Sequence, residues 1–490
     1  MRSRSRAEPN LQAASSGKST DESRNAETRA ATCGRPSNAG LERKTSAAAP
    51  SWCVFVYLEL EQCMPYGNKV RSGWLMPAEY GPHGREIVTL GDLLPVTMPK
   101  DGFARNPYPD LNVTEQQREQ LIELVNGCVQ NHFQKYEQFF VTEQHHVDER
   151  RWEHVKSKED LHVYSERSQK DQARRGLQSM NPSQLSEQEK EMAAMMTVGT
   201  VVGELEDLMF GIINTTRDAM RIKAAYVGDV EGGAILCPVV EPSEKEPFRS
   251  LTVKWMATDA ALKSNKCRDF VCIEATDVLH LENGERIGYH VLHSIEFPQT
   301  KPLPYLIRGN MSAVAFYRHI HSTIIDTYGL CIVDPGQKTK RLLFMPALAS
   351  SMLTTTNYVR CGQLKKVAWM LQRQHAGFKL REESQHKKGC VMCGKGKSIP
   401  GLGRGTCKLC TGDVCYSCKV RERMHFIGQD SELIQRKITF CSQCMSKAIN
   451  CNTQEAAQDQ ATGYHDSYDS ASTFSESTFS AFSDSSSVYH

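Results

Sequence analysis

The stretch DFVCIEATDVLHLENGERIGYHVLHSIEF, residues 269–297, holds two runs of alternating apolar residues on either side of Glu282, Asn283, Gly284 and Glu285. An Asn-Gly pair supplies the positive φ angles of a tight turn, so the two runs predict an antiparallel hairpin. Working outward, AILCPVV (234–240), RSLTVKWMA (249–257), MSAVAFYRHIH (311–321), STIIDTYGLCIVD (322–334) and TVGTVVG (197–203) read as further strands. Residues 151–166 read as two strands across a charged turn, and residues 167–191 as a solvated loop. Thr114 and Gln117 form a capping-box pair ahead of Leu121, Leu124, Val125, Cys128, Val129, Tyr136, Phe139 and Phe140, which predicts an amphipathic helix. Residues 204–213 and 216–224 predict two short helices. Residues 346–374 predict one long helix, with Pro346 in its first turn and Leu364, Val367, Ala368 and Leu371 along one apolar face. Strands gathered between helices predict an α+β fold, a curved antiparallel sheet gripping the last helix with a cavity between them.

The 490 residues exceed one ordinary core, so two folded units with disordered flanks are expected. A net charge of +2 gives no overall attraction for nucleic acid or any other polyanion. Residues 1–50 lack the apolar centre of a secretory signal and are expected to be disordered. Residues 51–110 carry repeated Gly and Pro and read as a loop-rich lead-in. Their apolar run, 52–60, is too short to cross a bilayer. A cytoplasmic protein with at most peripheral membrane contact is expected. The Ser-rich residues 453–490 read as a disordered tail.

Of 18 cysteines, eight fall within residues 390–444 as four Cys-x-x-Cys pairs: Cys390 and Cys393, Cys407 and Cys410, Cys415 and Cys418, Cys441 and Cys444. Cys-x-x-Cys turns present two sulfurs to one ion, and structural zinc takes four thiolates. Four pairs therefore predict two Zn²⁺ ions with no ligand position open for catalysis. Spacing alone does not say which pairs share an ion. Cys128, Cys237, Cys272 and Cys331 sit in apolar stretches and read as buried, inert thiols. His386 and His425 flank the cluster and read as surface residues, and Cys451 as a bystander.

Together, VGTVVGELEDLMFGII (198–213), DAMRIKAAYVGD (218–229), EPFRSLTVKW (246–255), GERIGYHVLHSIEFP (284–298) and the 390–444 block resemble the oomycete proteins that join a START-like domain to a FYVE-type finger. The resemblance implies a helix-grip lipid-binding domain over 111–375 and a FYVE-type finger over 385–450. It also implies a cross-brace in which Cys390, Cys393, Cys415 and Cys418 hold one zinc and Cys407, Cys410, Cys441 and Cys444 the other. FYVE fingers that read phosphatidylinositol 3-phosphate resemble one another in a WxxD lead-in, an RRHHCR run and an RVC run. Here the second is GRGTCK, with Arg404 and Lys408 kept and both histidines gone; the third is ITFC, and no WxxD precedes Cys390. Arg404 and Lys408 are the candidate phosphoinositide contacts, and Ile399 and Leu402 a candidate membrane-dipping tip.

Residues 386–450 hold twelve Lys and Arg against four Asp and Glu, a side-chain charge of +8 that eight thiolates and two Zn²⁺ reduce to +4. Such a finger is expected to meet an anionic membrane surface, endosomal membranes among them, or a protein partner. No nucleophile elbow, phosphate-cradling glycine loop or His-x-x-x-His pair occurs in 110–375, so no enzyme is expected. His145 and His146 read as a solvated loop. Trp255, Tyr289 and His293 fall on strands whose inner face is not fixed by period-two alternation, so no cavity residue is named. The leading expectation is a lipid-binding protein that docks through its finger. An interaction scaffold filled by its own side chains and a RING-like ubiquitin ligase are the alternatives. The polar stretch 374–389 suits a linker, so the two domains are expected to unfold independently.

Overall fold

The hairpin forms, with a different turn. In the computed structural model, β6 (Arg268–His280) pairs antiparallel with β7 (Arg286–Ser294), His280 opposite Arg286. Gly284 alone takes positive φ, at +84°, and its N–H donates to the Leu281 carbonyl. The Asn283 side chain instead accepts from the Glu285 N–H, so Asn283 caps a longer loop and is not the first residue of a two-residue turn. The structure describes residues 101–103, 105–109, 111–177, 193–258, 267–321, 323–336, 341–378, 389–395, 405–428 and 431–462. The expectations for 1–50, for most of 51–110 and for the tail after 462 lie outside the described residues.

The sheet runs β1 (Trp152–Lys158), β2 (Leu161–Glu166), β3 (Ala193–Val202), β10 (Ile324–Asp334), β9 (Asn310–His321), β7, β6, β5 (Ser250–Thr258), β4 (Gly232–Val240). Every neighbouring pair on this path is antiparallel; the short β8 (Ile307–Arg308) lies parallel to β6. Helix α1 (Glu115–Glu137), with the predicted Thr114–Gln117 capping box, runs into a π-helical turn at Gln138–Thr142. It covers one sheet face, where Leu124, Val125, Cys128 and Tyr136 pack among Val253, Trp255, Ile273, Tyr289 and Phe316. Trp255 and Tyr289 therefore face α1, on the side away from the gripping helices. A short helix, α2 (Gln169–Arg174), stands in the expected loop.

The other face carries α3 (Leu205–Ile212), α4 (Arg217–Val227), α5 (Arg341–Met352) and α6 (Tyr358–Phe378). The single long helix expected over 346–374 is broken. Pro346 lies inside α5, and a 3₁₀ turn, Leu353–Asn357, separates α5 from α6. Thr354, Thr355 and Thr356 turn their hydroxyls back onto the carbonyls of Ser351, Met352 and Leu353, a local competition with the helix ladder. The order of elements and the antiparallel path give an α+β fold with helices on both faces of one sheet, but α6 does not reach the sheet alone. A Cβ on Gly288 of β7 would overlap the Met209 side chain of α3, so α3 sits tightly on the sheet and α6 crosses over α3.

Two expectations about domain limits are corrected. Leu364, Val367 and Leu371 of α6 bury against Leu409, Met424, Phe426, Ile438, Phe440 and Met445, so the finger and the body share one core. The polar composition of 374–389 concealed this because the docking residues lie upstream of it. The expected tail also begins too early: Asn452 caps a helix, α8 (Thr453–Ala461), whose Ala456 and Ala457 are buried beside α3 and α6.

Candidate metal centre and the sheet face beneath the helices

Each Cys-x-x-Cys pair is a tight turn shaped by backbone hydrogen bonds. The Gly394 N–H donates to the Cys390 carbonyl at 2.8 Å and Gly394 has φ +67°; Thr411 repeats this on Cys407 at 2.8 Å with φ +55°. The Lys419 N–H closes the third turn on the Cys415 carbonyl. Cys441 ends β14 (Leu433–Cys441) and caps α7 (Ser442–Ile449), its sulfur accepting from the Cys444 N–H at 3.3 Å. The short strands β11 (Gly405–Thr406) and β12 (Asp413–Val414) pair around the second Cys-x-x-Cys turn, and β13 (Lys419–Ile427) pairs with β14.

The eight sulfurs gather as two sets, Cys390, Cys393, Cys415 and Cys418, and Cys407, Cys410, Cys441 and Cys444, each with its Sγ atoms within 4.8 Å of one another. This is the cross-brace that the resemblance implies. All eight cysteines are free of disulfides. The donor chemistry fits a metal: a hydrogen bond from Cys444, with backbone N–H groups, holds the Cys407 thiol down to about 5, while the same bond pushes Cys444 far up. Four adjacent sulfurs cannot all be anionic without a cation among them, and a tetrahedral ion would supply it. His425 lies in β13 and is no ligand; its N–H donates to the Tyr226 hydroxyl across the junction with the body. Cys451 donates to the Ala448 carbonyl, as a bystander should. Lys408 is half-buried and its N–H donates to the Thr439 carbonyl. Arg404, Ile399 and Leu402 lie outside the described residues.

Beneath α3, α4 and α6 the sheet carries charge that no sequence period announces. Glu274 of β6 is 3% exposed and meets Lys254, Lys223, His290 and Asn214. Burial alone would raise its pKa, but Lys254 and Lys223, with the His290 hydrogen bond, hold it well below the carboxylate range. The cluster is satisfied internally, with Lys254 also donating to Asn214 Oδ1 at 2.7 Å. Elsewhere on this face, Thr197, Thr252 and Thr327 are buried with hydroxyls that find no partner among the described residues. The only sequence signal for these groups was polar residues at inward positions, legible only once the inward face was known. Cys128, Cys237, Cys272 and Cys331 are buried, as expected. His145 is not merely solvated: its Nδ1 lies 3.3 Å from the buried Asp326.

Fold and site together define an α+β protein with one large, mainly antiparallel sheet and a finger of two four-cysteine clusters. No family model matches the chain, and no curated protein matches it. Among solved structures, human StAR-related lipid transfer protein 5 is similar at 15% identity and a TM-score of 0.34, over 50% of this chain and 98% of that one. Human STARD10 is similar at 13% identity and 0.31, over 49% and 83%. A STAR-related lipid transfer protein fragment from Xanthomonas axonopodis is similar at 11% identity and 0.29, over 43% and 99%. Likenesses this distant say nothing of a ligand. Among the described residues, no helix is long and apolar enough to cross a membrane.

Proposed function

We propose that the protein is a non-enzymatic binding protein with two structural Zn²⁺ ions in a FYVE-type finger. Its body takes a hydrophobic ligand with an uncharged polar end, and the finger docks the whole to an anionic surface. The supporting observation for the ligand is the pair of hydroxyls of Thr197 and Thr327, on the adjacent strands β3 and β10 of the buried sheet face, which find no partner among the described residues. A buried hydroxyl without a partner costs about 1–3 kcal/mol, which a ligand hydroxyl or carbonyl would offset. The charges on that face are already paired among themselves, so the ligand's polar end needs no charge. For docking, Arg423 stands directly opposite Lys437 on the exposed hairpin, an arrangement that repels unless an anion lies across it.

The self-contained Glu274 cluster favours a second reading, a scaffold filled by its own side chains. Mass spectrometry of organic extracts from the purified chain separates the two. A ligand protein releases one apolar compound in near-stoichiometric amount, lost in Thr327→Val. A scaffold releases none, and Thr327→Val then stabilises it by removing an unpaired hydroxyl.

A further inference from the structure

The edge hairpin of the sheet holds a cluster unrelated to the finger. In β1 and β2 the register slips between His154 and Lys156, where a bulge inserts Val155. Without it, His154 and Ser157, three residues apart, would point to opposite faces. With it, His154 pairs with Tyr164 and Ser157 with His162, so His154, Ser157 and His162 share a face. His154 Nε2 lies 2.6 Å from Ser157 Oγ, and His162 Nδ1 lies 2.7 Å from the same oxygen. The His154 ring stands edge-on to Tyr164, with centroids 5.4 Å apart, which limits its rotation.

We propose that His154, His162 and Ser157 form a third metal site, for one borderline divalent transition cation such as Ni²⁺ or Zn²⁺. Imidazole suits these ions, whereas Mg²⁺ and Ca²⁺ prefer oxygen. Metal–ligand bonds of about 2.0–2.1 Å place neighbouring ligands about 2.9 Å apart in the tetragonal geometry of Ni²⁺ and about 3.3 Å apart around tetrahedral Zn²⁺, so the two contacts need to open by about 0.2–0.7 Å. Ser157, on the edge strand β1, can open both contacts by rotating its hydroxyl. Two imidazole nitrogens and one hydroxyl leave positions for water or an outside ligand, unlike the closed thiolate sets. The site is chemically separate from the finger, with nitrogen and oxygen donors and no sulfur. It is also anchored to the gripping helices, because Lys156 of β1 donates to Ser350 of α5 at 2.7 Å and Lys158 to Asn357 at 3.1 Å.

The test uses the full chain carrying its zinc, dialysed against Ni²⁺, with bound nickel and zinc counted by elemental analysis. One nickel per chain is expected above the retained zinc. His154→Ala and His162→Ala should each lower nickel retention at least tenfold without changing zinc content or the melting temperature. His146→Ala, a surface control, should leave it unchanged. If no nickel is retained, or if it is retained equally by the His154→Ala/His162→Ala double variant, the proposal is wrong. Unchanged zinc in the variants guards against mistaking misfolding for loss of the site.

Discussion

Gly211 of α3 and Gly362 of α6 face each other where the two helices cross. A Cβ on Gly211 would overlap the Tyr358 carbonyl, and one on Gly362 the Asp207 carbonyl. With no side chain between them the backbones meet directly, which lets α3 lie between the sheet and α6. Gly211→Ala and Gly362→Ala should each cost about 3 kcal/mol or more, since backbone cannot yield as a flexible side chain can. Because the sites share one contact, the double variant should cost less than the sum. Urea denaturation of the three variants checks this, and additive losses would show that the helices part freely.

The shared core makes metal removal a global event. Leu364, Val367 and Leu371 each gain about 1.5–3 kcal/mol by burial against the finger. Chelation, or Cys407→Ser, should therefore lower the melting temperature of the body as well, by on the order of 10 °C. Calorimetry with and without chelator reads the shift. A body transition left in place would mean that the finger and body are independent after all. Metal analysis should return two zinc equivalents in the thiolate sites.

Lys366 is 2% exposed and holds three elements together. Its ammonium pairs with Asp207 of α3 at 2.6 Å and donates to the Thr453 hydroxyl of α8 at 3.0 Å and to the Ile449 carbonyl. Lys366→Met leaves the Asp207 carboxylate buried without a cation and should cost about 3–5 kcal/mol. Asp207→Asn combined with Lys366→Met should recover part of that loss. Limited proteolysis should show α8 released in the single variant.

Acid should weaken the fold in two stages. Burial pushes the His293 and His132 imidazoles down to about 4 from an ordinary 6.5, so both are neutral in the folded chain. Between about pH 6.5 and 4 the unfolded chain takes protons that the folded chain refuses, and stability falls. Glu274 adds a second loss: its carboxylate, held well below 4.5, stabilises the fold above that value, and this is lost as pH falls through the folded pKa. Melting temperatures should decline from pH 7 to 4 and again as pH falls further, and His293→Gln should flatten the upper part of the decline.

Binding of the finger to vesicles should follow total anionic charge and fade between about 0.1 and 0.5 M salt. Arg423→Ala with Lys437→Ala should weaken it more than either change alone. Selectivity for one phosphoinositide isomer that survives high salt would point to a stereospecific pocket.

The sequence by itself determined what depends on near neighbours: the capping box at Thr114, the hairpin around Gly284, the strand periods and four Cys-x-x-Cys turns. Each is a local preference of backbone or ligand geometry, written within a few residues. Only the tertiary structure decided which sheet face Trp255 and Tyr289 point to, because a period of two is the same from either side. It also decided that Leu364, Val367 and Leu371 meet the finger and not the sheet, since an apolar stripe does not name its partner. The crossing of Gly211 and Gly362 was likewise invisible, because it arises from how distant segments fit against each other, and the bulge at Val155 was invisible because alternation alone does not fix the register of the β1–β2 hairpin.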